Sequence, residues 1–240
     1  MDFATQSPFD VRFEWGIHGV SHVANLGGVT IIVDVLSFST CVDIVCSRSA
    51  CVLPYRHKDA SAVAFANANS AVLAGARSGG GLSLSPRSLL EIEAGTRLVL
   101  PSPNGSTLTL ACLAPVVLAG CLRNAAAVAA FASSHAGPIT VVAAGERWED
   151  GTLRPAVEDL LGAGAVIHYL QGARSPEASA AEAAFAGTRK QLLSTISSCA
   201  SAVELAARGF AADVQLAAAI NASTCVPQLR DGAYVRAGGG

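Results

Sequence analysis

The run Val29-Thr30-Ile31-Ile32-Val33 is β-branched throughout, and it ends on a carboxylate, Asp34, followed at once by Ser37, Ser39 and Thr40. Branched side chains favour extended backbone, and a nearly continuous apolar run predicts a strand covered on both faces, as in parallel sheets. The plan recurs twice. Residues 97–100 read as a strand stopped by Pro101 and followed by Ser102-Pro103-Asn104-Gly105-Ser106-Thr107. Residues 139–143 read as a strand followed by Ala144-Gly145-Glu146-Arg147.

Between these corners the pattern alternates. Helix is predicted from the first corner to about residue 47, then a strand at 51–54, an Ala-rich helix at 58–76 and a Gly- and Ser-rich loop at 78–86. Residues 108–113 read as helix, 116–118 as strand, 124–134 as helix, and 155–169 as a helix with Pro155 in its first turn. Further helices are expected at 177–197, 200–208 and 212–219. Residues 226–230 and 233–236 flank Asp231-Gly232, the signature of a two-residue hairpin, and Pro227 predicts that this hairpin sits at a sheet edge. Alternating strands and helices predict a single three-layer α/β/α domain over residues 1–240, its sheet largely parallel or mixed. Residues 1–14 and 237–240 are expected to be loose.

Hydrophobic residues make up 51% of the chain and charged residues 14%, so a large core of small side chains can form. The net charge of −2, with no run of Lys or Arg, argues against nucleic acid as a partner. The most apolar stretch, 108–122, is too short to cross a bilayer and is interrupted by Pro115. Residues 1–14 lack the basic start and apolar segment of an export signal, so a cytoplasmic protein is expected. The seven cysteines form no C-x-x-C pair and are expected to be reduced core residues. His18 and His22 lie in a Gly-flanked segment not expected to be helical, which makes them poor candidates for a zinc pair. The composition leaves room for a homo-oligomer.

In open α/β sheets ligands lie beyond the C-terminal strand ends, where the following helices present free N–H groups. Hydroxyls, a Gly and such amides suit an anion whose charge is spread over several oxygens. The plainer alternative is that each Ser, Thr or Asn caps its helix. Asp34 requires a partner, because a carboxylate at the end of an apolar strand is costly unless hydrogen-bonded, paired or metal-bound. Glu158-Asp159 either answers the dipole of the helix that follows or offers hard oxygen ligands to Mg²⁺. P-loop, nucleophile-elbow and zincin motifs are absent.

Taken in order, these blocks resemble the ComB-like 2-phosphosulfolactate phosphatases. Ile32-Val33-Asp34-Val35-Leu36 with Ser39-Thr40 is similar to that family's D-x-L-R-A-[ST]-[ST] element, and Asn104-Gly105-Ser106 to its N-G-[ST]. Ala144-Gly145, then Glu158-Asp159-Leu160 with Ala163-Gly164-Ala165, is similar to its A-G, acidic pair and small-residue helix. Residues 209–213 and Val226-Pro227 resemble its C-terminal end.

The resemblance implies Mg²⁺ dependence and hydrolysis of 2-phospho-3-sulfolactate to sulfolactate and phosphate, a step of coenzyme M synthesis. On that reading Asp34, Glu158 and Asp159 are the metal ligands. Asp34, Glu146 and Arg147 carry catalysis, with Arg147 stabilising charge in the transition state. Ser39, Thr40, Asn104, Gly105, Ser106 and Arg123 contact the small phosphorylated or sulfonated acid. Two positions depart from the pattern: the family's Arg is Ser37 here, and the Glu of its G-G-E-R element is Ala76, in Ala74-Gly75-Ala76-Arg77. Loss of both charges defines an alternative, a protein that binds a small anion in a regulatory role without turnover.

Overall fold

The computed structural model describes residues 3–238. Its elements are β1 (Val11–Trp15), α1 (Gly16–His22), β2 (Val29–Val33), α2 (Phe38–Ser47), β3 (Cys51–Tyr55), α3 (Ala60–Ala68), β4 (Val72–Leu73), β5 (Arg97–Pro101), α4 (Gly105–Ala111) and β6 (Val116–Gly120). There follow α5 (Ala125–Ala132), β7 (Ile139–Ala143), the small pair β8 (Glu146–Arg147) and β9 (Leu153–Arg154), and α6 (Val157–Tyr169). The C-terminal part holds α7 (Pro176–Thr188), α8 (Leu192–Ser197), α9 (Ala200–Ala207), α10 (Ala211–Ala217), β10 (Pro227–Arg230) and β11 (Ala233–Arg236).

The architecture is the expected three-layer α/β/α, a large, mostly parallel sheet with helices on both faces. Alternation along β2 shows how the layers separate. Ile31 and Val33 point into a core shared with Val128 of α5, Val166 of α6 and Phe185 of α7. Ile32 points the other way, to Val20 of α1 and Leu108 of α4. All these side chains are nearly or wholly buried, and each contributes roughly 1.5–3 kcal/mol by leaving water.

The strand order is β1-β7-β2-β6-β10-β11-β3-β5-β4. β1, β7, β2 and β6 run parallel to one another, as do β3, β5 and β4. The hairpin β10–β11 lies between them and is antiparallel to both flanks, through Gln228 opposite Leu118 and Tyr234 opposite Val52. Three successive reversals set the two parallel groups running in opposite senses. This corrects the expectation of an edge hairpin. Pro227 is tolerated because it is the first residue of its strand, where a missing N–H costs least. Tyr234 secures the hairpin from below: its ring meets Phe38 edge-on at 6.1 Å, and its hydroxyl lies 2.9 Å from that of Thr109.

Other expectations also shift. Residues 11–15, all but the last inside the stretch expected to be loose, form the edge strand β1 on β7, with Val11 and Phe13 buried; Arg12 and Glu14 mask the alternation. Residues 1, 2, 239 and 240, also expected to be loose, lie outside the described residues. The helix expected at 58–76 stops at Asn69, because Ser70 takes a positive φ of 49° and the chain returns as β4. The helix expected at 177–197 is interrupted by a 3-10 turn at Arg189–Gln191. His18 and His22 do lie on a short helix, α1. All seven cysteines are free.

Candidate active site

β2 and β5 are five places apart in the sheet, about 24 Å if it were flat at ~4.8 Å per step. Yet the N–H of Gly105, after β5, donates to Asp34 Oδ2, after β2, at 2.9 Å. Twist and curl therefore bring the two strand ends together, with α4 packed on both β2 and β3.

Asp34, almost wholly buried, receives a second amide, Phe38 N–H to Oδ1 at 3.1 Å. The first N–H groups of α2 and α4 thus hold the protein's own carboxylate. Burial pushes the Asp34 carboxyl up to about 6; the two amides oppose that rise, and neighbouring Glu158 adds to it. Asp159, in the first turn of α6, takes the N–H of Val35 at 2.7 Å and of Gly145 at 2.8 Å, tying the first and third corners together. Burial, followed by the charges of Asp34 and Glu158, holds it well above the usual carboxylate range. Glu158 is buried against the thiol of Cys199, which burial and then Glu158's charge push up to about 12. Glu146 accepts a hydrogen bond from Asn104 Nδ2 at 3.0 Å. Burial, then Asp34, raises it to about 7.

Asp34, Asn104 and Glu146 line one cleft of about 180 Å³ with Ser37, Ser102, Arg77, Ser201, Glu204 and Arg208. Gly105, Asp159 and Glu158 do not line it: Gly105 bonds Asp34, Asp159 bonds Val35 and Gly145, and Glu158 is buried with its charge acting on Asp34. Ser39, Thr40 and Ser106, expected to touch the ligand, are wholly buried and spend their hydroxyls on the carbonyls of Ile32, Val35 and Leu100. Their residue types suited an anion, but their χ1 directions staple backbone. Arg147 lies beyond Glu146 in an adjoining pocket of about 310 Å³, lined also by Trp15 and His18 and sharing Asn104 and Glu146 with the cleft, and its guanidinium bonds the carbonyl of Gly151. Arg123 is bound to buried Asp43 at 2.9 Å and does not line the cleft.

Two cations do line the cleft, Arg208 and Arg77, the latter from the element in which Ala76 replaces the family's Glu. The Arg77 guanidinium bonds Asp213 Oδ2 at 2.7 Å and Ser37 Oγ at 2.9 Å and covers the ring of Phe210. Asp213 is fixed in turn by the Ser85 hydroxyl and the Arg87 N–H. The spacing of residues 74–77 hinted at this arginine. Nothing in it linked Arg77 to an aspartate 136 residues away. Ser201, Glu204 and Arg208 went unnoticed because α9 reads as an ordinary amphipathic helix.

A family model described as 2-phosphosulpholactate phosphatase matches residues 17–232, which contain every residue of this cleft. The chain belongs to that family. Two proteins named probable 2-phosphosulfolactate phosphatase are similar to this member. That of Gloeobacter violaceus is 32% identical over 139 residues, 58% of this chain and 57% of its own. That of Thermosynechococcus vestitus is 43% identical over 79 residues, 32% of this chain and 31% of its own. The chain thus spans about a third and a little over half of the length of these relatives.

Gly105 gives this phosphatase-family cleft a direct test. A Cβ there would strike the Phe38 ring, 2.6 Å from Cγ, and come within 2.8 Å of Asp34 Oδ2. Phe38 is wholly buried and has nowhere to move. Gly105→Ala is expected to lower stability by about 1–3 kcal/mol, as overpacking does. Urea unfolding that matches wild type would show that the two strand ends are not clamped as described.

Proposed function

We propose that the cleft hydrolyses a small anionic phosphoester with Mg²⁺, and that the reaction is the one the family resemblance implies, 2-phospho-3-sulfolactate to 3-sulfolactate and phosphate. The observation that carries this reading is that Asp34, Glu146 and Asp159 are each raised by burial and by neighbouring carboxylates, Glu158 among them, beside the fixed guanidinium of Arg77. A dry cluster of four carboxyl groups is poorly compensated by one arginine, and a divalent cation relieves that strain.

Among the described residues no three His, Cys, Asp or Glu groups close into a ready-made cage. That fits Mg²⁺, which commonly takes one or two carboxylates and completes its shell with water and phosphate. Asp34 and Glu146, which line the cleft, with Glu158 beside Asp34, would hold the ion; Asp159, which does not line the cleft, positions the two corners. When bound, Mg²⁺ supplies neutralisation of the phosphoryl oxygens and acidification of water. Arg77, locked by Asp213, offers its remaining N–H groups to charge that develops on phosphate. Glu146, titrating near neutrality, can give a proton to the leaving oxygen or take one from water. Cytoplasmic placement and a role in coenzyme M synthesis belong to the same proposal.

Phosphate release from 2-phospho-3-sulfolactate should require Mg²⁺ and stop with EDTA. A ligand-induced rise in melting temperature without phosphate release would favour the regulatory binder instead.

The carboxyl cluster also sets a pH dependence. Asp34, Glu146 and Asp159 have folded-state pKa values above their unfolded ones, so the folded protein holds the extra protons. For Asp34 and Glu146 that contribution is fully present below about pH 4 and is lost as pH rises through about 6 and about 7, and Asp159 acts in the same direction. Metal-free protein should therefore lose melting temperature between about pH 5 and 8, less so in Glu146→Gln. Mg²⁺ should restore more at pH 8 than at pH 5. A Mg²⁺ effect of equal size at both pH values would separate the ion from this cluster.

A further inference from the structure

Beside the cleft, and sharing Arg77, Leu84, Pro103 and Arg208 with it, opens a recess of about 650 Å³. Arg56, His57 and Lys58, on the loop that leaves the C-terminal end of β3, form its far wall; Phe210, Pro101 and Leu84 give it apolar sides. No Asp or Glu lines it. The trough formed by the two cavities is therefore polar end to end, with carboxylates at Asp34 and Glu146 and cations at Arg56 and Lys58.

The cations differ in how far they are committed. Arg77 is held by Asp213, and Arg208 by Glu204 one helical turn away. Among the described residues neither Arg56 nor Lys58 has a hydrogen-bond or ion-pair partner, and both are exposed. Two uncommitted cations facing a concave, acid-free wall raise the local concentration of anions there. The small cleft, at about 180 Å³, has room for a phosphoryl group and its ion. The recess alone falls within the usual range for whole small-molecule ligands, roughly 300–1,000 Å³.

We propose that Arg56 and Lys58 are specificity-determining residues: they seat a second acidic group carried by the leaving side of the substrate, on a body that can be larger than a three-carbon acid. This rests on the phosphatase reading of the neighbouring cleft. It assigns the acidic end of the trough to the reacting phosphate and the basic end to recognition. Binding a second anion there adds affinity without touching the reacting bond, so its loss raises KM and spares kcat.

The test uses the double variant Arg56→Ala with Lys58→Ala, which alters two exposed loop positions and should keep the wild-type melting temperature. With Mg²⁺, kcat/KM is measured for fructose 1,6-bisphosphate, which carries a second phosphate on a six-carbon body, and for p-nitrophenyl phosphate, which carries no second acid. The ratio of the two values should fall at least tenfold in the variant, through KM. An unchanged ratio overturns the proposal. Calorimetry of fructose 1,6-bisphosphate in EDTA separates this result from the phosphatase reading. If neither ester is hydrolysed, calorimetry decides the recess alone, and the phosphatase reading stands or falls on phosphate release from 2-phospho-3-sulfolactate. A dissociation constant at least tenfold weaker in the variant supports it; equal affinity, or no binding to wild type, overturns it.

Discussion

Asp34→Asn is expected to lower phosphate release by at least about 100-fold, roughly 2.7 kcal/mol of barrier at 1.36 kcal/mol per tenfold. The substitution keeps size and removes one charge, and charge is what a Mg²⁺ ligand supplies. The structure adds a cost that the strand pattern could not reveal. Both carboxylate oxygens accept N–H groups, from Phe38 and Gly105. An Asn offers one oxygen, and its NH₂ must face the other donor, which costs about 1–3 kcal/mol if that donor stays unpaired. Relief of repulsion from Glu158 and Asp159 offsets part of this. Melting temperature alone is therefore a poor readout, and the Mg²⁺-induced shift is the decisive one. Thermal unfolding of both proteins, with and without Mg²⁺, should show that shift largely lost in the variant. Equal shifts, with turnover retained, would reduce Asp34 to a double helix cap.

The second large effect lies away from the cleft. Arg123→Ala is expected to destabilise the protein by about 3–5 kcal/mol, the usual result of stranding a buried charge. At this length that is a fall in melting temperature of roughly 10 °C. Asp43 is fully buried, bonded by Arg123 Nε at 2.9 Å and by the Ser223 hydroxyl at 2.6 Å. Even with these partners, burial keeps its pKa above the ordinary value. Removing Arg123 leaves only the Ser223 hydroxyl to oppose desolvation and strands the charge without a counter-ion. The pair itself need not add net stability, so Asp43→Leu with Arg123→Met should recover most of the loss. Activity per folded molecule should change little, because Arg123 lines no part of the cleft. A substrate contact would instead raise KM without lowering the melting temperature.

Strand-end chemistry was readable because an apolar strand makes a terminal carboxylate conspicuous, as at Asp34, and Glu158-Asp159 stood out as an acidic pair at a helix start. Side-chain direction was not readable. Ser39, Thr40 and Ser106 carry the right atoms for an anion and turn them into the backbone. Arg147 and Arg77 each follow an element of the right kind, and only the curl of the sheet decides which faces Asp34. Local pattern also carried the three layers, since Ile31, Ile32 and Val33 alternate between two cores. It misplaced the hairpin, because strand sequence says nothing about which flanks a late pair will join. It lost β1 among charged residues and ran one Ala-rich helix past Asn69, where backbone geometry rather than composition ends it.

The hairpin's position has a consequence for synthesis. Of the strands in this sheet, β10 and β11 leave the ribosome last, yet they occupy its middle. Until they emerge, β6 and β3 present bare rows of N–H and C=O groups, the kind of edge that pairs with another chain. The nascent protein is thus two half-sheets that cannot yet be joined, a state in which exposed edges invite misassembly. Asp34 and Gly105 sit in different halves. Their bond, and with it the cleft, waits on the late strands that slot between the earlier ones, so chemistry cannot begin before β10 and β11 have left the ribosome.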